Sequence, residues 1–368
     1  MSELRPEKNY IPSLDGLRAI SIILVIFYHA NLFLGSAFEK TFTFEILNSG
    51  NIGVSCFFVL SGFLITRILL NTRDHPSYYK IFFFRRLLRI FPLYYLILII
   101  AFVILPQFDH PRLDKWSGTD PTLYWFYLSN FYIASVGKFN HGLVDLSWSL
   151  SIEEQFYFVW PWLVLWINPK RLKIACYLGI LISILSRIYF GYKGNSEIQV
   201  YVLTYCRLDG LLMGSLLALE DKSFLSFSKI KRFRSLIMLG SFLFACLFKF
   251  TILKDSLFNM AVSYFCIALF FSCVLSDVLE KNYSFFSNSI LISLGKYSYG
   301  IYLIHFPVQA ALREVFFKSL VQESSYIGLM FYQLLFVLIV TAVSYILSFF
   351  VFHLYEKRFL KLKRYFSY

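Results

Sequence analysis

Ten stretches of about 20 mainly apolar residues follow one another along this chain, with short polar breaks between most of them. Each is long enough to cross a hydrocarbon layer roughly 30 Å thick as a helix rising 1.5 Å per residue. They fall at 13–34, 50–70, 87–106, 148–167, 172–190, 200–219, 235–252, 258–279, 289–312 and 326–354. Hydrophobic residues make up 58% of the 368 and charged residues only 15%, too few to coat a soluble protein of this size. An aromatic share of 20% excludes disorder. The fold class is an all-α integral membrane protein, one bundle of about ten transmembrane helices.

The net charge of +13 would suggest nucleic acid in a soluble protein. Here it is read as topology, with no nucleic-acid partner, because basic residues stay on the cytoplasmic side. With the N-terminus in the cytoplasm, 22 Lys and Arg fall in cytoplasmic segments and nine in outer ones. An eleventh candidate, 121–136, is short, aromatic and polar, and counting it as a span would erase that asymmetry. The expectation is ten spans with both termini cytoplasmic, and 121–136 either on the outer interface or re-entrant. The N-terminus lacks a signal-peptide cleavage pattern, so the first helix is retained and the protein is placed in the inner (plasma) membrane. Residues 1–368 form a single domain with its core at 10–355 and a basic cytoplasmic tail at 356–368. The six cysteines lie in apolar stretches without CxxC or a His/Cys cluster, so neither disulfides nor a metal site is expected.

Ionisable residues inside spans are functional candidates. Arg18 and His29 are eleven residues apart, about 20° from eclipsed at 100° per residue, with about 16 Å of axial rise between them. They share one stripe of the first span, and Asp15 can pair with Arg18 at i,i+3. Ser61 and Gly62 suit close helix packing. Arg85, Arg86 and Arg89 at the start of the third span are either topology anchors or a phosphate clamp. Trp148, Ser149, Glu153 and Glu154 open the fourth span, with Ser149 and Glu153 on one face. Arg207 and Asp209 lie within a span, where they neutralise either each other or part of the pocket, beside Gly210 and Gly214, whose spacing allows close contact. Tyr299, Tyr302 and His305 share a broad face of the ninth span.

Five blocks in order resemble the acyltransferase-3 membrane family, which includes O-acetylases of O-antigen, exopolysaccharide and peptidoglycan. They are Arg18-x10-His29, FFVLSGFLI (57–65), FFRRLLRIFPLYY (83–95), SWSLSIEEQFYFVWP (147–161) and GKYSYGIYLIHFPV (295–308). The resemblance covers about 10–355, and the family's ten-helix core agrees with the count from charge. It implies acetyl-CoA as acyl donor from the cytoplasm, with no metal. It favours Glu153 in its block and matches the Arg207-x-Asp209 run. Many members carry an extracytoplasmic hydrolase-like domain; none is read in this sequence.

The expectation is a membrane O-acyltransferase moving an acetyl or other short acyl group to a glycan or lipid-linked sugar acceptor. His29, Arg18 and Glu153 are its catalytic candidates, with Arg18, Arg85, Arg86 and Arg89 on the donor's phosphates. Trp148, Ser149, Arg207, Asp209, Tyr302 and His305 are its substrate-binding candidates, and membrane lipids are its surroundings. His29 acts either as general base or as acyl carrier. The acceptor enters from outside past Glu153, Trp148 and the 107–147 region. The rival is a transporter or flippase using the same buried charges, although no two-half repeat is present.

Overall fold

The structure, a computed structural model, describes residues 10–39, 41–108, 119–220, 227–250, 257–317, 320–321 and 324–366. Helix α1 is Pro12–His29, α2 Phe42–Leu47, α3 Ile52–Asn71 and α4 Tyr78–Ile99. Two short helices, α5 (Thr122–Trp125) and α6 (Ser129–Val136), precede α7 (Ser147–Trp166) and α8 (Pro169–Tyr192). Then come α9 (Glu197–Val202), α10 (Thr204–Leu219), α11 (Phe227–Phe250) and α12 (Leu257–Lys281). The chain closes with α13 (Ser289–Lys296), α14 (Ser298–Leu312), α15 (Tyr326–Val351) and the short α16 (Lys357–Leu360).

Every apolar stretch of the sequence is mainly helical, and no strand occurs among the described residues. Six of the described helical segments are long and apolar enough to cross a membrane: 12–29, 42–71, 78–107, 169–192, 261–281 and 326–365. Of the four remaining stretches, 235–252 gives only the shorter apolar helix Phe233–Cys246 among the described residues, and the other three fall short for identifiable reasons. Helix α7 carries Glu153 and Glu154 in its middle, and α10 has 16 residues because the chain breaks at Leu203, before Thr204. The 289–312 stretch is interrupted at Tyr297, which separates α13 from α14.

The 121–136 segment is too short to span, since α6 has eight residues and rises only about 12 Å. It packs against α7 and α9. Buried Asn130 donates to Val202 O (3.2 Å) and Thr204 Oγ1 (2.9 Å), and Gln155 of α7 donates to Asn130 Oδ1 (2.9 Å). Asp145 closes the following loop by accepting from the backbone N–H of His141 (3.0 Å) and Gly142 (2.7 Å). Residues 109–118 of the outer region, the first nine residues and the last two of the tail lie outside the described residues.

Helices α3 and α10 pack at backbone contact, and small residues permit it. A Cβ on Gly62 would stand 1.8 Å from Leu211 O, and one on Gly214 2.0 Å from Val59 O. Neither distance can be met without moving a helix. Gly62→Ala is therefore expected to destabilise by at least the overpacking range of about 1–3 kcal/mol. The check is a lower thermal midpoint in detergent; an unchanged midpoint contradicts the contact. Polar links cross the same seam. Trp160 Nε1 donates to Thr66 Oγ1 (2.7 Å), which donates to Ser215 Oγ (2.9 Å). Inside a membrane such groups find partners within the protein or not at all.

Candidate active site

Helix α1 ends at His29, and its last turn brings the imidazole against α14. His29 Nδ1 lies 3.0 Å from His305 Nε2. His305 Nδ1 lies 3.1 Å from Ile301 O, a carbonyl one turn back on its own helix. A carbonyl only accepts, so His305 carries its proton on Nδ1 and leaves Nε2 as an acceptor. His29 must then donate from Nδ1, and its remaining nitrogen, Nε2, holds an unshared pair. Such fixing of one ring nitrogen by a partner defines the role of the other. Phe306 and Tyr28 meet the His29 ring edge-on at centroid distances of 5.5 and 4.9 Å. The sequence named both histidines separately; the fold makes them a pair.

His29 forms part of the wall of an open cavity of about 920 Å³. That is near the upper end of the range for small-molecule sites. Its lining mixes aromatics (Tyr28, Tyr264, Phe306), amides (Asn48, Asn51, Gln309) and charged groups (Glu45, Glu197, Arg313, Glu314). Carboxylates, amides and aromatic faces together are the functional groups that hold sugars, whose rings carry both hydroxyls and apolar C–H faces. Glu153 and Trp148, which the sequence places on the acceptor's route, do not line this cavity. Trp148, 3% exposed, packs on Tyr201 (centroids 4.6 Å) and Phe58 (6.2 Å). Among the described residues the 119–146 segment contributes nothing to the lining.

From His305 a polar line runs toward the other end of α1. Tyr302 donates to Leu146 O (3.1 Å), and its hydroxyl is 2.6 Å from Ser149 Oγ. One turn along α7, Glu153 accepts from Ser61 (3.0 Å) and from Tyr157 (2.7 Å). Ser61 is thus a carboxylate partner as well as a neighbour of the packing glycine Gly62. Arg86 lies over the Tyr157 ring at 5.1 Å. Arg86 and Arg18 both act electrostatically on Glu153.

At the Asp15 end of α1 the guanidinium groups converge. Arg18 pairs with Asp15, as the i,i+3 spacing predicts. Arg89 has Arg18, Arg86, Asp15 and Glu356 as its charged neighbours, yet it is solvent-exposed. Arg85 differs from its two neighbours, since its Nη1 donates to Phe366 O (3.1 Å) in the C-terminal segment. This Arg cluster gathers around Asp15 and Arg18, and Arg18 lies eleven residues and about 16 Å along α1 from His29.

Arg207 and Asp209 do not pair with each other. Asp209 Oδ2 meets Arg187 Nη1 at 2.8 Å, and neither side chain is more than 3% exposed. Arg187 also donates to Ala261 O (3.0 Å) and Cys206 O (2.5 Å), so it ties α8, α10 and α12 together. Arg207 donates to Ser55 Oγ (2.9 Å) and lies 4.2 Å from the Tyr264 ring centroid, behind the cavity wall. The sequence signal for Arg187 was its charge near the end of the fifth apolar stretch.

Comparisons with known proteins identify the family. The model of the family described as "Acyltransferase domain", acyltransferase-3, matches residues 11–351. The peptidoglycan O-acetyltransferase OatA of Listeria monocytogenes is 34% identical over 330 residues, covering 83% of this chain and 50% of that protein. The putative peptidoglycan O-acetyltransferase YrhL of Bacillus subtilis is 32% identical over 329 residues, 82% of this chain and 49% of that one. A putative O-acetyltransferase of Staphylococcus aureus is 32% identical over 326 residues, covering 82% and 51%. The chain thus spans about half the length of these relatives. No solved structure matches it. Both histidines, Arg18, Arg86, Arg89 and the polar line between them fall inside the matched residues, and the chain belongs to the acyltransferase-3 family of membrane proteins.

Proposed function

We propose that this protein is a membrane O-acetyltransferase that moves an acetyl group from acetyl-CoA to a hydroxyl of a cell-envelope glycan. The observation that carries the reading is the His29–His305 pair on the wall of a polar and aromatic cavity. Family membership supports transfer rather than transport, and the peptidoglycan relatives support a glycan acceptor. In this reading the chain crosses the membrane ten times with both termini cytoplasmic. The basic C-terminal segment against the start of α4 supports that placement, with Phe84 and Phe366 stacked at 4.6 Å. The Arg18, Arg86 and Arg89 cluster then faces the cytoplasm and the cavity faces outward.

The chemistry follows from the two ends. Arg18, Arg86 and Arg89 supply the planar N–H forks that suit phosphate oxygens of the donor. The thioester reaches along the line of Glu153, Ser149 and Tyr302 toward His29. His29 Nε2 takes the proton of the acceptor hydroxyl as its oxygen attacks the thioester carbonyl. A C–O bond forms and the C–S bond breaks. The proton then passes from His29 to the departing thiolate, leaving an O-acetyl ester and free CoA. His305 holds His29 in the tautomer this needs.

The test is thiol release from acetyl-CoA by the purified protein with a peptidoglycan oligosaccharide. Release that depends on the oligosaccharide is expected; release indifferent to it contradicts the reading. The donor side has its own signature. Arg86→Ala and Arg89→Ala each raise the KM for acetyl-CoA about 10-fold or more while kcat changes little, as loss of a charged phosphate contact requires. An unchanged KM in both places the phosphates elsewhere.

A further inference from the structure

Gln333 is the one amide in the 26-residue helix α15, and it is 3% exposed. Its Oε1 accepts from the Leu32 backbone N–H at 2.7 Å, and its Nε2 donates to Ala30 O at 3.0 Å. Both ends of the side-chain amide are therefore spent on the three residues that follow His29. Helix α1 leaves its terminal backbone groups without intrahelical partners, and inside a membrane water does not supply them. Gln333 reads this turn as a neighbouring backbone would, accepting from one peptide group and donating to another. Asn31 adds to the same turn, its Oδ1 accepting from Phe33 N–H at 2.9 Å and its Nδ2 donating to Asn48 at 3.2 Å. Arg313 donates to Asn31 O at 3.3 Å and to Leu34 O at 2.5 Å.

We infer that Gln333 is a positioning residue for His29: it locks the 30–32 turn, and through it the imidazole stays in register with His305. The inference rests on the reading of His29 as the base. Gln333 does not line the cavity, so it acts through another residue. Ala30 is buried and its N–H is bonded to Ile26 O at 2.7 Å, so the turn is continuous with the helix that carries the histidine. A shift of the turn therefore moves the ring. The His29–His305 contact of 3.0 Å tolerates little movement before the hydrogen bond is lost.

Two variants separate positioning from folding. Gln333→Leu removes both hydrogen bonds at similar volume, and Gln333→Glu keeps the acceptor for Leu32 while losing the donor to Ala30. If one fails to fold, as judged by gel filtration in detergent, the other carries the test. The expected result is a kcat for acetyl-CoA thiol release about 10-fold to 100-fold lower with the donor's KM unchanged. In a His29→Ala background the same substitution should lower the residual rate by less than about twofold, because its target is already gone. Equal losses in both backgrounds, or full kcat in the folded variant, overturn the inference. A second readout does not depend on activity. In protein labelled with 15N-histidine, coupling across the His29 Nδ1–H···Nε2 His305 bond is expected in the parent and absent in Gln333→Leu. Persistence of that coupling in the variant overturns the positioning role even if no acyl transfer is ever observed.

Discussion

His29→Ala is expected to lower turnover by about 10²–10⁴-fold, the range for removing a positioned general base. The ring both touches His305 and lines the cavity. Its loss leaves the binding surfaces in place, so the KM for acetyl-CoA should change far less than kcat. His305→Ala should be slower by a smaller factor, because His29 survives but loses the partner that fixes its tautomer and plane. The pair acts as a unit. The double variant is therefore expected within about twofold of His29→Ala, far from the product of the single effects. A His29→Ala enzyme that retains more than about a third of the parent turnover contradicts the assignment of the base.

The largest stability effect is expected at Arg187. Taking one partner from a buried ion pair leaves an uncompensated charge and costs about 3–5 kcal/mol. Arg187 is 0% exposed and holds three helices through one carboxylate and two carbonyls, so Arg187→Ala falls at the upper end or prevents folding. Asp209→Asn should be milder, since an amide still accepts from the guanidinium. Replacing both members by apolar residues of similar volume, Arg187→Met with Asp209→Leu, should recover part of the loss. The buried cysteines report this directly, because Cys56, Cys176, Cys206, Cys266 and Cys273 become reactive to a thiol dye only on unfolding. If Arg187→Ala unfolds at the parent's temperature, the pair is not structural.

Much of the fold was legible because each apolar stretch is a local property of the chain. The Arg18/Asp15 pair was legible too, since three residues on one helix fix their distance whatever surrounds them. The i,i+4 face shared by Ser149 and Glu153 led the reading to the polar line on α7 for the same reason. What sequence periodicity does not carry is which helix faces which. Asp209 took Arg187, 22 positions away on another helix, rather than Arg207 two positions away, because residues i and i+2 point to different sides of a helix. Trp148 looked like a mouth residue beside the outer loop, yet the turn of α7 buries it against Tyr201. Gln333 gave only a weak signal, one amide in an apolar run, and its two partners sit some 300 positions earlier in the chain.

The central claim is that an acetyl group passes from a thioester to a glycan at His29. The most direct measurement uses acetyl-CoA labelled in the acetyl carbon, the protein in lipid nanodiscs and an oligosaccharide of peptidoglycan. Alkali-labile label on the oligosaccharide is predicted with the parent protein, and label no higher than without protein is predicted with folded His29→Ala. Equal labelling of the oligosaccharide by the two proteins would contradict the account.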